Sequence, residues 1–153
     1  MNFSRMMALG ALASAAMAGP ALAGSLSPNG PFQADGTTSL TIGTTTLTCT
    51  AHMVGTVTAG VGTISTATFS GGPLGACALA AKTGTWTVTS LSATSIQISG
   101  LAVNTPIGNC TAGTVTGAYN NATHQLTFAN QPLPPNCKVS ASLTTHDNAL
   151  TAS

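Results

Sequence analysis

Threonine sets the fold class of this chain. It carries 27 threonines in 153 residues, all beyond position 36, and they alternate with apolar residues over long stretches. Branching at Cβ restricts χ1 and suits threonine to a pleated, half-buried surface. The clearest case is Gly84-Thr85-Trp86-Thr87-Val88-Thr89, where period-2 spacing puts Trp86 and Val88 on one face. A turn over Leu91 to Thr94 leads to Ser95–Ser99, with Ile96 and Ile98 inward. Thr114–Tyr119 and His124–Phe128 predict a hairpin about Asn120-Asn121, since asparagine tolerates left-handed backbone. Pro132, Pro134 and Pro135 predict a loop from Gln131 to Asn136. No stretch after Gly24 has helical periodicity. The pattern predicts an all-β fold, a β-sandwich or partly open barrel, with Trp86, Phe69, Phe128, Leu126, Ile96 and Ile98 in its core.

Four cysteines allow three pairings, and an internal repeat chooses among them. Cys49-Thr50-Ala51 runs into a Thr/Val strand, then Ala67-Thr68-Phe69, then Cys77. Cys110-Thr111-Ala112 runs into a similar strand, then Leu126-Thr127-Phe128, then Cys137. Upstream, Ser39–Gly43 is echoed by Ser95–Gly100. Two similar halves, about 38–80 and 95–140, predict the disulfides Cys49–Cys77 and Cys110–Cys137. Without a CxxC pair the cysteines lack zinc-ligand spacing, so no metal is expected.

Residues 1–23 read as a signal peptide: Arg5, an apolar run from Met6 to Met17, then the small-x-small triplet Ala21-Leu22-Ala23. The apolar run is short for a membrane anchor. Cleavage leaves a single β domain over 24–153 in an oxidising place: periplasm, outer surface or medium.

Beyond residue 23 only Lys82, Lys138, Asp35 and Asp147 carry charge, and they sum to zero. Nucleic acid is excluded as a partner, because displacing phosphate counterions needs clustered cations. A neutral surface also provides little repulsion between copies, so self-association or adsorption to interfaces is expected.

The same scarcity leaves no catalytic apparatus to name. His52, His124 and His146 read as surface or rim residues beside Thr-rich strands. His146 and Asp147 are strand neighbours expected on opposite faces, and no Gly-x-Ser-x-Gly elbow accompanies either aspartate. Asp35 and Asp147 sit in loop-like sequence near the ends, the only carboxylate pair available after residue 23. Gly60-Val61-Gly62 and Gly71-Gly72-Pro73 read as turns with no helix after them to cradle phosphate. The triplets Asn109-Cys110-Thr111 and Asn121-Ala122-Thr123 fit the glycosylation pattern and are assigned no role. No cofactor is expected.

Taken together, Ser27-Pro28-Asn29-Gly30-Pro31-Phe32, Leu47-Thr48-Cys49-Thr50-Ala51, Ala67-Thr68-Phe69-Ser70-Gly71-Gly72 with Cys77, and Leu133-Pro134-Pro135-Asn136-Cys137-Lys138-Val139 resemble the protein activators of alkane oxidation. The likeness includes all four cysteines. It implies an exported, non-enzymatic protein that helps cells use hydrocarbon, acting at the cell surface or the oil–water boundary. Two alternatives are a structural subunit of an extracellular assembly or biofilm matrix, and a module that binds an apolar ligand between its sheets.

Overall fold

The computed structural model describes residues 24–153; the leader read over 1–23 lies outside the described residues. The strands in chain order are β1 (Leu26–Ser27), β2 (Gly30–Ile42), β3 (Thr45–Thr58), β4 (Val61–Ser70), β5 (Ala81–Thr83), β6 (Trp86–Ser92), β7 (Ser95–Thr105), β8 (Gly108–Asn120), β9 (Gln125–Leu133), β10 (Cys137–His146) and β11 (Thr151–Ala152). The order β7-β6-β4-β3-β2-β10-β9-β8 returns on itself through β7–β8 pairing, which makes a closed eight-stranded barrel. The all-β expectation holds, but the sheet is neither a sandwich nor left open. β5 extends the barrel wall by pairing with β7 beyond the end of β6.

The β2–β3 hairpin shows how the sequence builds the wall. A two-residue turn at Gly43-Thr44, with Gly43 at φ 60, sets a register unbroken from Ile42↔Thr45 to Gly30↔Val57. Period-2 alternation then sends Phe32, Ala34 and Leu40 inward with Leu47, Ala51, Met53 and Val57, while Thr46, Thr48 and Thr50 face out. Outward hydroxyls meet across strands, as in Thr41–Thr46 at 2.8 Å and Ser39–Thr48 at 3.0 Å. Trp86, Ile96, Ile98, Leu126 and Phe128 are buried in the core as expected. Phe69 is the exception: it is only partly buried, packed between the main core and a small cluster of Leu47, Cys49 and Cys77.

Four local expectations are corrected. Leu91 and Ser92 continue β6, and the turn is Ala93-Thr94. Strand β9 continues through Gln131, Pro132 and Leu133, pairing Pro132 with Lys138. Proline is tolerated there because β8–β9 pairing is confined to Ala118–Asn120 with Gln125–Thr127, so its missing N–H interrupts no ladder. In the β8–β9 turn the left-handed residue is His124 (φ 54). Asn120 contributes instead through its side chain, accepting from the N–H of Ala122 and Thr123. Finally, Gly71-Gly72 is followed by a short 3-10 segment, Pro73–Leu79, broken by left-handed Leu74 and Gly75.

The barrel has two unlike ends. At one, β1 pairs with β11, joining the two ends of the described chain. Leu26 N–H bonds Gly60 carbonyl at 2.9 Å, and Asn121 holds both the N–H and the carbonyl of Ala152 at 2.8 Å. At the other end lie the β2–β3 turn, the Pro73–Leu79 segment and both disulfides, Cys49–Cys77 and Cys110–Cys137. Hairpins β3–β4 and β8–β9 each carry a cysteine on their first strand, but its partner differs: Cys77 sits in the 3-10 segment and Cys137 opens β10.

Candidate functional site

Four of the ionisable side chains, Asp35, His52, His146 and Asp147, gather in one place. Asp35 lies within β2 rather than in a loop, directly opposite His52 of β3. On its other side, β10 pairs His146 with Gln33, two residues along the same face. Both imidazoles turn to the one carboxylate: His52 Nδ1 is 2.5 Å from Asp35 Oδ1, and His146 Nε2 bonds Oδ2. Asp147, just past the end of β10 at φ 49, brings its carboxylate to 3.5 Å from His146 Nδ1, so the two are not on opposed faces. The hydrogen bond from His146 is the main cause that holds Asp35 below the ordinary carboxylate value, against the opposing effect of desolvation, with His52 adding to it. The same bond raises His146 above the ordinary histidine value.

This cluster lies on the outer wall with Asp35 42 % and both imidazoles 44 % exposed. Among the described residues no group of His, Cys, Asp or Glu is arranged to hold a metal ion. His124 stands apart, its Nδ1 2.8 Å from the Leu150 carbonyl, and serves the joined termini. Tyr119 does the same, for its hydroxyl donates to Leu150 carbonyl at 2.6 Å and meets Thr145 Oγ1 at 3.0 Å. Burial raises the Tyr119 pKa.

The interior offers a different chemistry. Toward the disulfide-bearing end a cavity of about 60 Å³ is walled by Leu40, Met53, Phe69, Trp86, Ile98 and Phe128, with Thr38, Ser39 and Thr105 also along its border. A second, of about 20 Å³, lies toward the joined termini against Phe32, Tyr119 and Leu150. Outside, Phe69, Ala80 and Lys82 border an open groove of about 530 Å³. Lys82 Nζ lies 2.5 Å from the Gly84 carbonyl and 5.5 Å from the centre of the Trp86 ring. Asp35, His52 and His146 line none of these three spaces.

Beside the first cavity stands the most exposed apolar element of the described chain. Leu74 is fully exposed and Leu79 is 72 % exposed, both on the Pro73–Leu79 segment. Sequence reasoning saw only a turn there. The signal available to it was the sudden loss of threonine, since Gly71–Ala81 contains no polar side chain. The Asp35–His52 pair was also within reach, because both residues lie equally far from the Gly43-Thr44 turn. His146 was not, because its place depends on a strand more than 100 residues away.

A family model for PraA/PraB-like alkane oxidation protein activators matches residues 1–152, so the chain belongs to that family. Searches of curated proteins and of solved structures give no match.

Proposed function

We propose that this member of the alkane oxidation activator family is an exported, non-enzymatic accessory protein that acts by adsorbing where hydrocarbon meets water. The observation that carries the reading is a separation of chemistries. The Asp35 cluster sits on the outer wall, and the barrel interior is lined by aliphatic and aromatic side chains. A reaction needs a nucleophile, an acid or base and a substrate space in one place, whereas here the apolar space and the titratable groups are apart. Disulfides fit an oxidising compartment. No helix among the described residues is long and apolar enough to cross a membrane. The strands face apolar side chains inward and threonines outward, the reverse of a barrel whose wall faces lipid. Burying one exposed leucine in an apolar phase is worth about 1.5–3 kcal/mol, so a few such groups suffice for reversible adsorption.

The experiment is a deletion strain compared on hexadecane and on a soluble carbon source, alongside partition of the purified protein to hexadecane droplets. Slower growth confined to hexadecane, with droplet adsorption above that of an inert globular control, is expected. Equal growth and control-level adsorption defeat the proposal.

The cavity of about 60 Å³ favours one further reading, an apolar-ligand module. An engineered cavity of roughly 150 Å³ holds benzene, so an alkyl chain enters this one only if Met53 or Phe69 moves. Trp86 lines the space, and quenching of its fluorescence by a brominated alkane, saturable and stoichiometric, is the outcome this reading requires. The structural-subunit alternative loses its simplest route, since closing the barrel removes the long free strand edges that edge-to-edge assembly uses.

A further inference from the structure

We infer that the disulfide-clamped segment Pro73–Leu79 is the part of the protein that enters the hydrocarbon phase, at the surface of a liquid alkane droplet. The inference rests on the interfacial reading above and assigns it to named residues.

Exposed leucines are common singly and mean little. Here two stand on one seven-residue segment that the fold holds in place. Cys77, fully buried, is bonded to Cys49 of β3. Its N–H bonds the Gly71 carbonyl at 3.2 Å, its own carbonyl accepts from Ala80 N–H at 3.0 Å, and Gly75 N–H reaches the Gly72 carbonyl at 3.3 Å. Gly72, at φ 75, is required: a Cβ there would come within 2.7 Å of Cys77 Sγ. The kink at left-handed Leu74 and Gly75 interrupts the 3-10 turn, and Leu74 is left without cover. An apolar group presented by a fastened backbone loses little conformational freedom when it is buried.

The chemistry of the segment selects its partner. From Gly71 to Ala81 there is no charge, hydroxyl, amide or aromatic ring, in a chain otherwise dense in threonine and serine. Protein interfaces use aromatic or arginine anchors and a polar rim, and this segment has neither. Anionic headgroups are recognised by clusters of cations, and Lys82 is the one cation between Gly71 and Thr85. A neutral liquid with no hydrogen-bonding groups is what remains. The segment also continues into the apolar interior: Phe69 and Ala80, one on each side of it, both line the cavity at this end of the barrel.

The test uses the purified oxidised protein, hexadecane droplets and the double variant Leu74→Ser/Leu79→Ser. Both side chains are largely exposed, so an unchanged thermal midpoint and near-ultraviolet dichroism of Trp86 establish that the variant is folded. Partition should fall roughly tenfold per leucine. Leu91→Ser, a half-exposed leucine on β6 near the joined termini, should leave it unchanged. If the wild-type protein does not adsorb at all, the interfacial reading itself fails. If it adsorbs and the double variant adsorbs equally, or Leu91→Ser weakens it as much, only the assignment to this segment is overturned. Stronger binding to phosphatidylcholine vesicles than to hexadecane overturns the alkane phase as partner. A wild-type dimer that the two serines dissociate in sedimentation overturns it in favour of a second copy of the chain.

Discussion

At one end of the barrel Leu26 and Ala152 are paired and buried, and Asn121, Tyr119, His124 and Ser90 satisfy the polar groups of the last residues. At the other, two disulfides fasten the strands while Leu74 and Leu79 stand in solvent and Phe69 is only partly buried. The first end is built by burying apolar residues and matching every buried polar group. The second is built by cross-linking, which stabilises largely by restricting the unfolded chain and so does not require the apolar surface to be covered. Covalent fastening therefore lets this end remain apolar and open without unravelling. On the function proposed above, the difference assigns interaction to the cross-linked end and closure to the other.

The largest effects test the cross-linked end. Each disulfide closes a loop of 27 or 28 residues, worth about 3–4 kcal/mol by chain entropy. Cys110→Ser/Cys137→Ser should lower stability by that amount in urea denaturation and loosen the wall, because this bond joins β8 to β10 beyond the three-pair β8–β9 ladder, which is confined to Ala118–Asn120 with Gln125–Thr127. Cys49→Ser/Cys77→Ser releases a peripheral segment, so its larger consequence should be lost droplet adsorption. Equal adsorption by that variant would separate the clamp from the contact.

At the closed end, Leu150→Ala should cost about 2–3 kcal/mol, the cavity penalty for a leucine that is 2 % exposed. Tyr119→Phe removes the donor to the Leu150 carbonyl and leaves Thr145 Oγ1 with one partner fewer. The expected loss is about 1–2 kcal/mol. Neither change should alter droplet adsorption, and a change in adsorption from either would break the division of labour between the ends.

The smallest effect concerns the outer wall. His146, raised by its bond to Asp35, contributes stability that is complete below the ordinary histidine value and fades as pH rises through the raised one. Asp35, lowered by the same bond, contributes above the ordinary carboxylate value and fades as pH falls through the lowered one. The pair is thus worth most between the ordinary carboxylate and histidine values. With both groups more than a third exposed, the gain is a few tenths of a kcal/mol. Asp35→Asn should flatten this shallow maximum in a series of thermal midpoints against pH.

Much of the wall was legible because it depends on local alternation. Trp86 with Val88 and Ile96 with Ile98 point inward as period-2 spacing requires, and the Gly43-Thr44 turn fixes the whole β2–β3 register. Closure was not legible, because whether β7 and β8 complete a ring or belong to one of two layers depends on how far every strand twists and tilts. Pro132 in β9 misled for a related reason: proline excludes a central strand only where its N–H side is paired, and here that pairing lapses. The place of His146 beside Asp35 and the joined termini were hidden because each brings together residues more than 100 positions apart. The exposed segment could be seen only as a gap in the threonine pattern, and a gap carries no direction until the fold turns it toward solvent.

The most direct measurement is amide hydrogen exchange of the purified oxidised protein, free and adsorbed on hexadecane droplets. The account predicts slowed exchange over Gly71–Ala81 and the neighbouring β2–β3 turn, with residues 121–124 and 147–153 unchanged. Slowing centred on the joined termini, or none anywhere on adsorption, would contradict it.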